Sequence, residues 1–210
     1  NSICAGTSVT FTATPVNGGT APVYQWQLNG LNTGTNAATY TNTSLNNGDV
    51  VTCILTSNAA CVTGSPDTSN TISMVVNTLP VPGFTSDINS GCQLPLCVQF
   101  TATNATNYTS LQYDFGDGKT ATTAIAQNCY TQPGNYSVGI SVTDSNNCTG
   151  TAVIGNMVVI SPEPFADFTI TAPDEIIANI PVTFTNTSIN NNSSLWNFGD
   201  SLAVNNTTFA

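Results

Sequence analysis

The sequence predicts an all-β chain: tandem β-sandwiches arranged as a rod, the last one incomplete. Three observations carry that expectation. Residues 136–143 alternate strictly, with Tyr136, Val138, Ile140 and Val142 on one face and Ser137, Gly139, Ser141 and Thr143 on the other. That is the period of a strand with one side on a core and one in water. Gly116-Asp117-Gly118 and Asn29-Gly30 follow strand-like runs and tolerate the positive φ angles that short hairpin loops require. Two aromatic landmarks also recur. Phe11, Phe100 and Phe184, each closing a Val-x-Phe run, stand 89 and 84 residues apart, and Trp26, Tyr113 and Trp196 stand 87 and 83 apart. A near-constant period marks repeated supersecondary units, here two whole modules and part of a third.

Module one is assigned to residues 1–78. Residues 8–13 alternate as an early strand, and residues 23–28 run into the Asn29-Gly30 hairpin, placing Trp26 between two sheets. After a turn at 46–49, Val51, Cys53 and Leu55 face one way, and residues 71–76 close the module. Module two, residues 79–161, turns Tyr113 and Phe115 to the core and Asp114 away from it. Its corner is Pro133-Gly134, followed by Tyr136. Module three, residues 162–210, has Trp196 at the same place in its repeat. Val81-Pro82 and Pro162-Glu163-Pro164 open modules two and three; alternate prolines favour extended backbone, so both junctions are expected to be short and stiff. Residues 162–210 supply only the first half of a sandwich, which leaves a core face and strand edges open. The expectation is a chain that continues beyond residue 210, or completion by strands from another chain. The start at Asn1 without Met or a signal peptide suits a mature form or an internal fragment.

Three separated stretches carry a family resemblance: Tyr113-Asp114-Phe115-Gly116-Asp117-Gly118, then residues 130–138 (Tyr-Thr-Gln-Pro-Gly-Asn-Tyr-Ser-Val), then Val142-Thr143-Asp144. In this order they resemble the PKD domain, a β-sandwich related to the immunoglobulin fold, over roughly residues 81–160. Trp196-Asn197-Phe198-Gly199-Asp200 resembles it in part, with Asn197 and Ser201 in place of the usual Asp and Gly. Module one lacks the Gly-Asp-Gly turn and the corner tyrosine, Asp49 standing where Tyr136 does, and is expected to be Ig-like. The resemblance implies tandem immunoglobulin-like (PKD-type) sandwiches with a structural core that includes Trp26, Tyr113, Phe115, Tyr136 and Trp196. In style the chain resembles the tandem PKD and Ig-like repeats of Bacteroidetes surface proteins: long adhesins, gliding-motility proteins and type IX secretion cargo. That resemblance implies an extracellular or cell-surface setting. The partners it implies are other repeats of the same or neighbouring chains, and surface glycans, host or substratum.

Composition narrows the partners. Charged residues make up 6% of the chain, against about 25% in ordinary soluble domains, so Asn, Thr and Ser must solvate the surface. A net charge of −10 with Lys119 as the single basic residue excludes nucleic acid, which requires cations to displace its counterions. It also excludes attraction to anionic lipid. No apolar run approaches the roughly 20 residues of a membrane-inserted span.

Seven cysteines without His or Cys-x-x-Cys spacing favour disulfides in an oxidising compartment over zinc. The repeat aligns Cys4 with Cys92 and Cys61 with Cys148, and on that recurrence the expected bonds are Cys4–Cys61 and Cys92–Cys148. Cys129 stands where PKD modules commonly carry a different residue. The resemblance therefore implies that the two extra cysteines of module two, Cys97 and Cys129, bond each other. Cys53, aligned with Ile140 on a core face, is left as a free buried thiol.

The inventory for catalysis is thin. Without His there is no usual general base and no Ser-His-Asp or Cys-His triad. Asp114-Phe115-Gly116 spells a kinase metal motif with nothing else of a kinase around it. Glu163 and Glu175 are the two glutamates, and no acid pair suits glycoside hydrolysis. No enzyme activity and no resident cofactor are expected. Calcium is the metal the oxygen donors would suit, with Asp114, Asp117 and Asp144 as candidates, or Asp167 with Asp174 and Glu175. The competing reading makes Asp117 and Asp144 turn formers that bond their own backbone. Tyr108, Tyr130 and Trp196 would stack on sugars only if exposed. The expected function is a structural or adhesive segment of a large bacterial surface protein, such as a stalk, adhesin or filament. The alternative is an accessory spacer or carbohydrate-binding module of a secreted hydrolase or protease.

Overall fold

The computed structural model describes residues 2–60, 62–104, 107–171 and 182–198, and residues 203–206 by backbone alone. Every regular element in them is a strand. The first group comprises β1 (Ser2–Cys4), β2 (Val9–Thr12), β3 (Val23–Leu28), β4 (Leu31–Thr33), β5 (Thr39–Asn42), β6 (Val50–Thr56), β7 (Asp67–Thr68), β8 (Ile72–Ser73) and β9 (Val75–Asn77). β3 and β6 are central to one sheet, flanked by β4 and β7, with β8 also on β6. β2 pairs with β5, and β1 runs parallel to β9. The hairpin between β3 and β4 turns at Asn29 and Gly30, both at positive φ, as a two-residue loop between right-twisted strands requires. Phe11 and Tyr40 from one sheet close on Trp26, Val51 and Cys53 from the other. The Trp26 indole N–H donates to the Ala37 carbonyl at 2.9 Å.

The second group comprises β10 (Gly83–Ser86), β11 (Ser90–Gly91), β12 (Leu96–Thr103), β13 (Tyr108–Asp114), β14 (Thr120–Ala121), β15 (Ile125–Tyr130), β16 (Gly134–Asp144) and β17 (Thr149–Ile160). β10, β12 and β15 form one sheet; β11, β17, β16, β13 and β14 form the other, in that order. The two sheets enclose one core. Phe84, Val98, Phe100, Ala126 and Tyr130 meet Tyr113, Phe115, Val138, Ile140, Val142, Val158 and Ile160. Two aligned sheets burying alternate residues make a β-sandwich. Tyr113 and Phe115 stack at 5.8 Å, and Phe84 meets Tyr113 edge-on at 5.7 Å. Tyr136 is only half-buried. Its ring lies 4.4 Å from Tyr130, and its hydroxyl donates to the Gln132 carbonyl at 2.9 Å, the tyrosine corner of immunoglobulin-like sandwiches. Tyr130, fully buried, donates across the sandwich to the Phe115 carbonyl at 3.0 Å. Burial pushes its phenol up to about 12, so it remains a donor throughout the physiological range.

The third group comprises β18 (Phe168–Thr171), β19 (Thr183–Asn186), β20 (Ser194–Asn197) and β21 (Ala203–Asn206), paired as two ribbons. Phe168, Phe184, Trp196 and Phe198 repeat the aromatic box of the second group. Trp196 and Phe198 stack at 5.8 Å, and Phe168 meets Trp196 edge-on at 5.7 Å. Phe168 is nevertheless 51% exposed and Phe198 48%, where Phe84 and Phe115 are 5% and 1% exposed. β16 and β17 cover that box in the second group, and no described strand takes their place in the third. Trp196 is therefore only half-buried, rather than the closed core residue the repeat predicts. Among the described residues no helix is long and apolar enough to cross a membrane.

Candidate functional site

The cysteines depart from two of the expected bonds. Cys4 bonds Cys148, with Cα atoms 5.5 Å apart, and so joins the first strand group to the second. Cys92 is free and exposed, and Cys61 lies outside the described residues. The reason lies in sheet topology. β11 lies parallel to the end of β17, Gly91 facing Ile160, whereas Cys148 immediately precedes the start of β17. Twelve residues of strand separate the two cysteines by about 40 Å at the usual rise, far beyond the 7 Å a disulfide spans. Cys4 occupies the matching place in the first group, beside Asn77 at the end of β9, where the chain passes towards β10. The recurrence is real, but the bond runs from one group to the next. Cys97 bonds Cys129 directly across β12 and β15, and Cys53 is a buried free thiol opposite Trp26.

The turn presenting Cys148 is built by Asp144. Its Oδ1 accepts from the Asn146 and Cys148 amides at 2.8 and 2.9 Å, and Asn147 takes a positive φ. Two residues on, Gly150 is buried against the Pro80 carbonyl, where a side chain would overlap it. Disulfide, proline and glycine thus fasten residues 77–83 to one pole of the second sandwich. Thr78, Pro80, Asn104, Tyr108 and Asp144 line a shallow groove beside this joint.

Asp114 and Asp117 lie at the opposite pole. β13 puts Asp114 opposite Gly139, while Tyr108 at its other end faces Asp144. The three calcium candidates are therefore not brought together. Asp114 Oδ1 accepts from the Gly116 amide at 2.9 Å. Asp117 accepts from the Lys119 amide at 3.1 Å and the Asn128 amide nitrogen at 2.9 Å, and pairs with Lys119 Nζ at 3.0 Å. Burial pushes the Asp117 carboxyl up, but Asn128 and Lys119 together outweigh it and hold the group below its ordinary value. Asp167 accepts from the Phe168 amide; Asp174 and Glu175 lie outside the described residues. No group of three His, Cys, Asp or Glu side chains converges among the described residues. Tyr130 is fully buried, which removes it as a sugar platform. Asn128 went unread in the sequence. The detectable signal is a polar residue at the buried parity of β15, between Ala126 and Tyr130.

In the first group Asp49 replaces the corner tyrosine. It is 7% exposed, accepts from Asn29 Nδ2 at 2.9 Å and from the Asn46 amide at 2.8 Å, and these bonds lower its pKa, Asn29 most. A carboxyl lowered in the folded state stabilises above its unfolded value of about 3.9, and that contribution is lost as pH falls through the folded value. In a Trp196→Phe background, thermal melts followed by Trp26 fluorescence are expected to fall below about pH 4. Asp49→Asn should flatten that fall; an unchanged fall would remove Asp49 as its source.

The free cysteines supply a second expectation. Burial raises the Cys53 thiol above its ordinary value, and a buried thiol is inert. In the 210-residue chain by itself, under native conditions, maleimide should label Cys92 within minutes and leave Cys53 intact until unfolding. Equal labelling would show that the Trp26–Cys53 layer opens readily.

With the geometry in place, relatives can be compared. A family model described as PKD domain matches residues 77–159, the second sandwich. A microbial collagenase of Vibrio alginolyticus is 39% identical over 77 residues, 35% of this chain, and the chain spans only 9% of that protein's length. Among solved structures, the PKD1 domain of Vibrio anguillarum Epp is 25% identical, with 40% of this chain and 99% of that one covered and a TM-score of 0.34. Fibronectin(III)-like modules of Clostridium thermocellum CbhA are 12% identical, covering 77% of this chain and 88% of that one, with a TM-score of 0.36.

Proposed function

We infer that the chain is a non-catalytic structural or adhesive segment of a large extracellular bacterial surface protein, a stalk, adhesin or filament, built from modules at 1–78, 79–161 and 162–210. The single observation that carries this reading is the Cys4–Cys148 bond across the first junction. A bond between modules holds their relative placement, which matters to a tether or stalk and contributes nothing to a reaction. The oxidised cysteines suit an extracellular compartment. The acids of the second sandwich, Asp87, Asp114, Asp117 and Asp144, accept backbone amides in turns and loops, and Asp117 also pairs with Lys119. In this reading its partners are neighbouring repeats, and surface glycans or the substratum.

Negative-stain electron microscopy of the native full-length protein on its cells tests the reading. Thin fibres or beaded rods attached to cells are expected. Compact particles released into the medium would overturn it in favour of a second reading, an accessory module of a secreted hydrolase. The likeness to part of a collagenase favours that alternative.

A further inference from the structure

Cys92 repeats the structural position of Cys4, and the surrounding chain repeats with it. In the first group Ser2 and Ile3 face Val75 and Val76, and Cys4 faces Asn77. In the second, Ser90 and Gly91 face Val159 and Ile160 in the same parallel sense, so Cys92 comes beside Ser161. From Asn77 to Phe84, the first core aromatic of the next sandwich, is seven residues; from Ser161 to Phe168 is also seven. Pro80 and Pro164 fall at the same step of the two connections, and Pro80 is the residue whose carbonyl seats on Gly150. Position in the ladder, connection length and seating proline all agree. Cys4 is bonded, while Cys92 is exposed and unbonded.

We propose that Cys92 is the open half of a second inter-module disulfide, its partner a cysteine in the turn joining the last two strands of the third sandwich. That turn, the counterpart of residues 144–148, would fall beyond residue 210. The fit requires a short polar turn ending in cysteine, followed two residues later by a glycine against which Pro164 can seat. The third sandwich would then be fastened to the second as the second is to the first, one bond per junction.

Forming the bond joins two sulfurs and removes two protons and two electrons from two thiols. A dithiol–disulfide oxidoreductase of the extracytoplasmic compartment accepts both, its own disulfide leaving as two thiols. The inference rests on the extracellular reading above.

The test is a cysteine map of the native full-length protein, alkylated with N-ethylmaleimide while unfolded and unreduced. Pepsin is the suitable protease, since Lys119 is the single basic residue and acid suppresses thiol exchange. The expected result is a Cys92 peptide linked to a peptide from the module that follows. Recovery of Cys92 as the maleimide adduct, or linked to Cys61, overturns the proposal. If Cys97–Cys129 stays closed in that case, the extracellular reading survives; if those cysteines are alkylated too, it falls as well.

Discussion

Tyr113→Ala is expected to destabilise the second sandwich by about 3–5 kcal/mol, the range for removing a large buried aromatic. Tyr113 has no exposed surface. It stacks on Phe115, meets Phe84 edge-on and donates to the Ala124 carbonyl at 3.3 Å. Truncation empties the centre of the aromatic box and removes that bond, although the carbonyl keeps the Ala102 amide at 2.8 Å. A sandwich of this size has about 4–12 kcal/mol in all, so the variant should be near its unfolding threshold. Urea titration followed by circular dichroism would show the loss. Two comparisons make the number informative. Tyr136→Phe removes only the bond to Gln132 and should cost about 0.5–1.5 kcal/mol. Trp196→Ala strikes the same site of the half-open third group and should cost clearly less than Tyr113→Ala. Equal losses at 113 and 196 would mean that the third aromatic box is closed.

Cys4→Ser is the second large effect, and it acts on the joint rather than on a core. The bond closes a loop of 144 residues, worth about 5 kcal/mol if everything between the cysteines unfolds together. Should the two sandwiches unfold separately, the bond instead keeps an unfolded one leashed to a folded neighbour, and less of that figure appears. The expected result is a loss of about 2–5 kcal/mol, read as lower denaturant midpoints for the first two groups. It should come with faster hydrogen exchange at β1, whose three residues pair only with β9. Midpoints and exchange equal to those of the unaltered chain would mean the junction is held without its disulfide.

Much of the fold was legible because alternation and turn chemistry are local. The run from Tyr136 to Val142 became β16 with Val138, Ile140 and Val142 buried, and Gly116 and Gly118 took the positive φ their hairpin needs. The cysteine partners were not legible, for a physical reason. Recurrence says which positions are equivalent, but not at which end of a sandwich they lie. The parallel pairing of β11 with the far end of β17 decides that, and it is a long-range contact with a two-residue signature. The calcium candidates failed similarly. Asp144 follows Asp114 by thirty residues of sequence, yet one strand length separates them in space. Tyr130 and Asn128 sit on the buried parity of a strand whose first residue, Ile125, is exposed, so apolar character alone does not reveal which face of β15 meets the core.

Single-molecule extension of the chain, held at its two ends, tests the joint most directly. With Cys4 bonded to Cys148, tension passes from residue 4 to residue 148 and into β17, so residues 5–147 release no length. Cys4→Ser exposes that segment to load. Apart from the loop still locked by Cys97–Cys129, the segment should then add about 400 Å at 3.3–3.6 Å per residue. The account predicts this added length in Cys4→Ser and its absence in the unaltered chain. Equal extension in both would contradict a bond across the junction, and with it the tether the junction is proposed to serve.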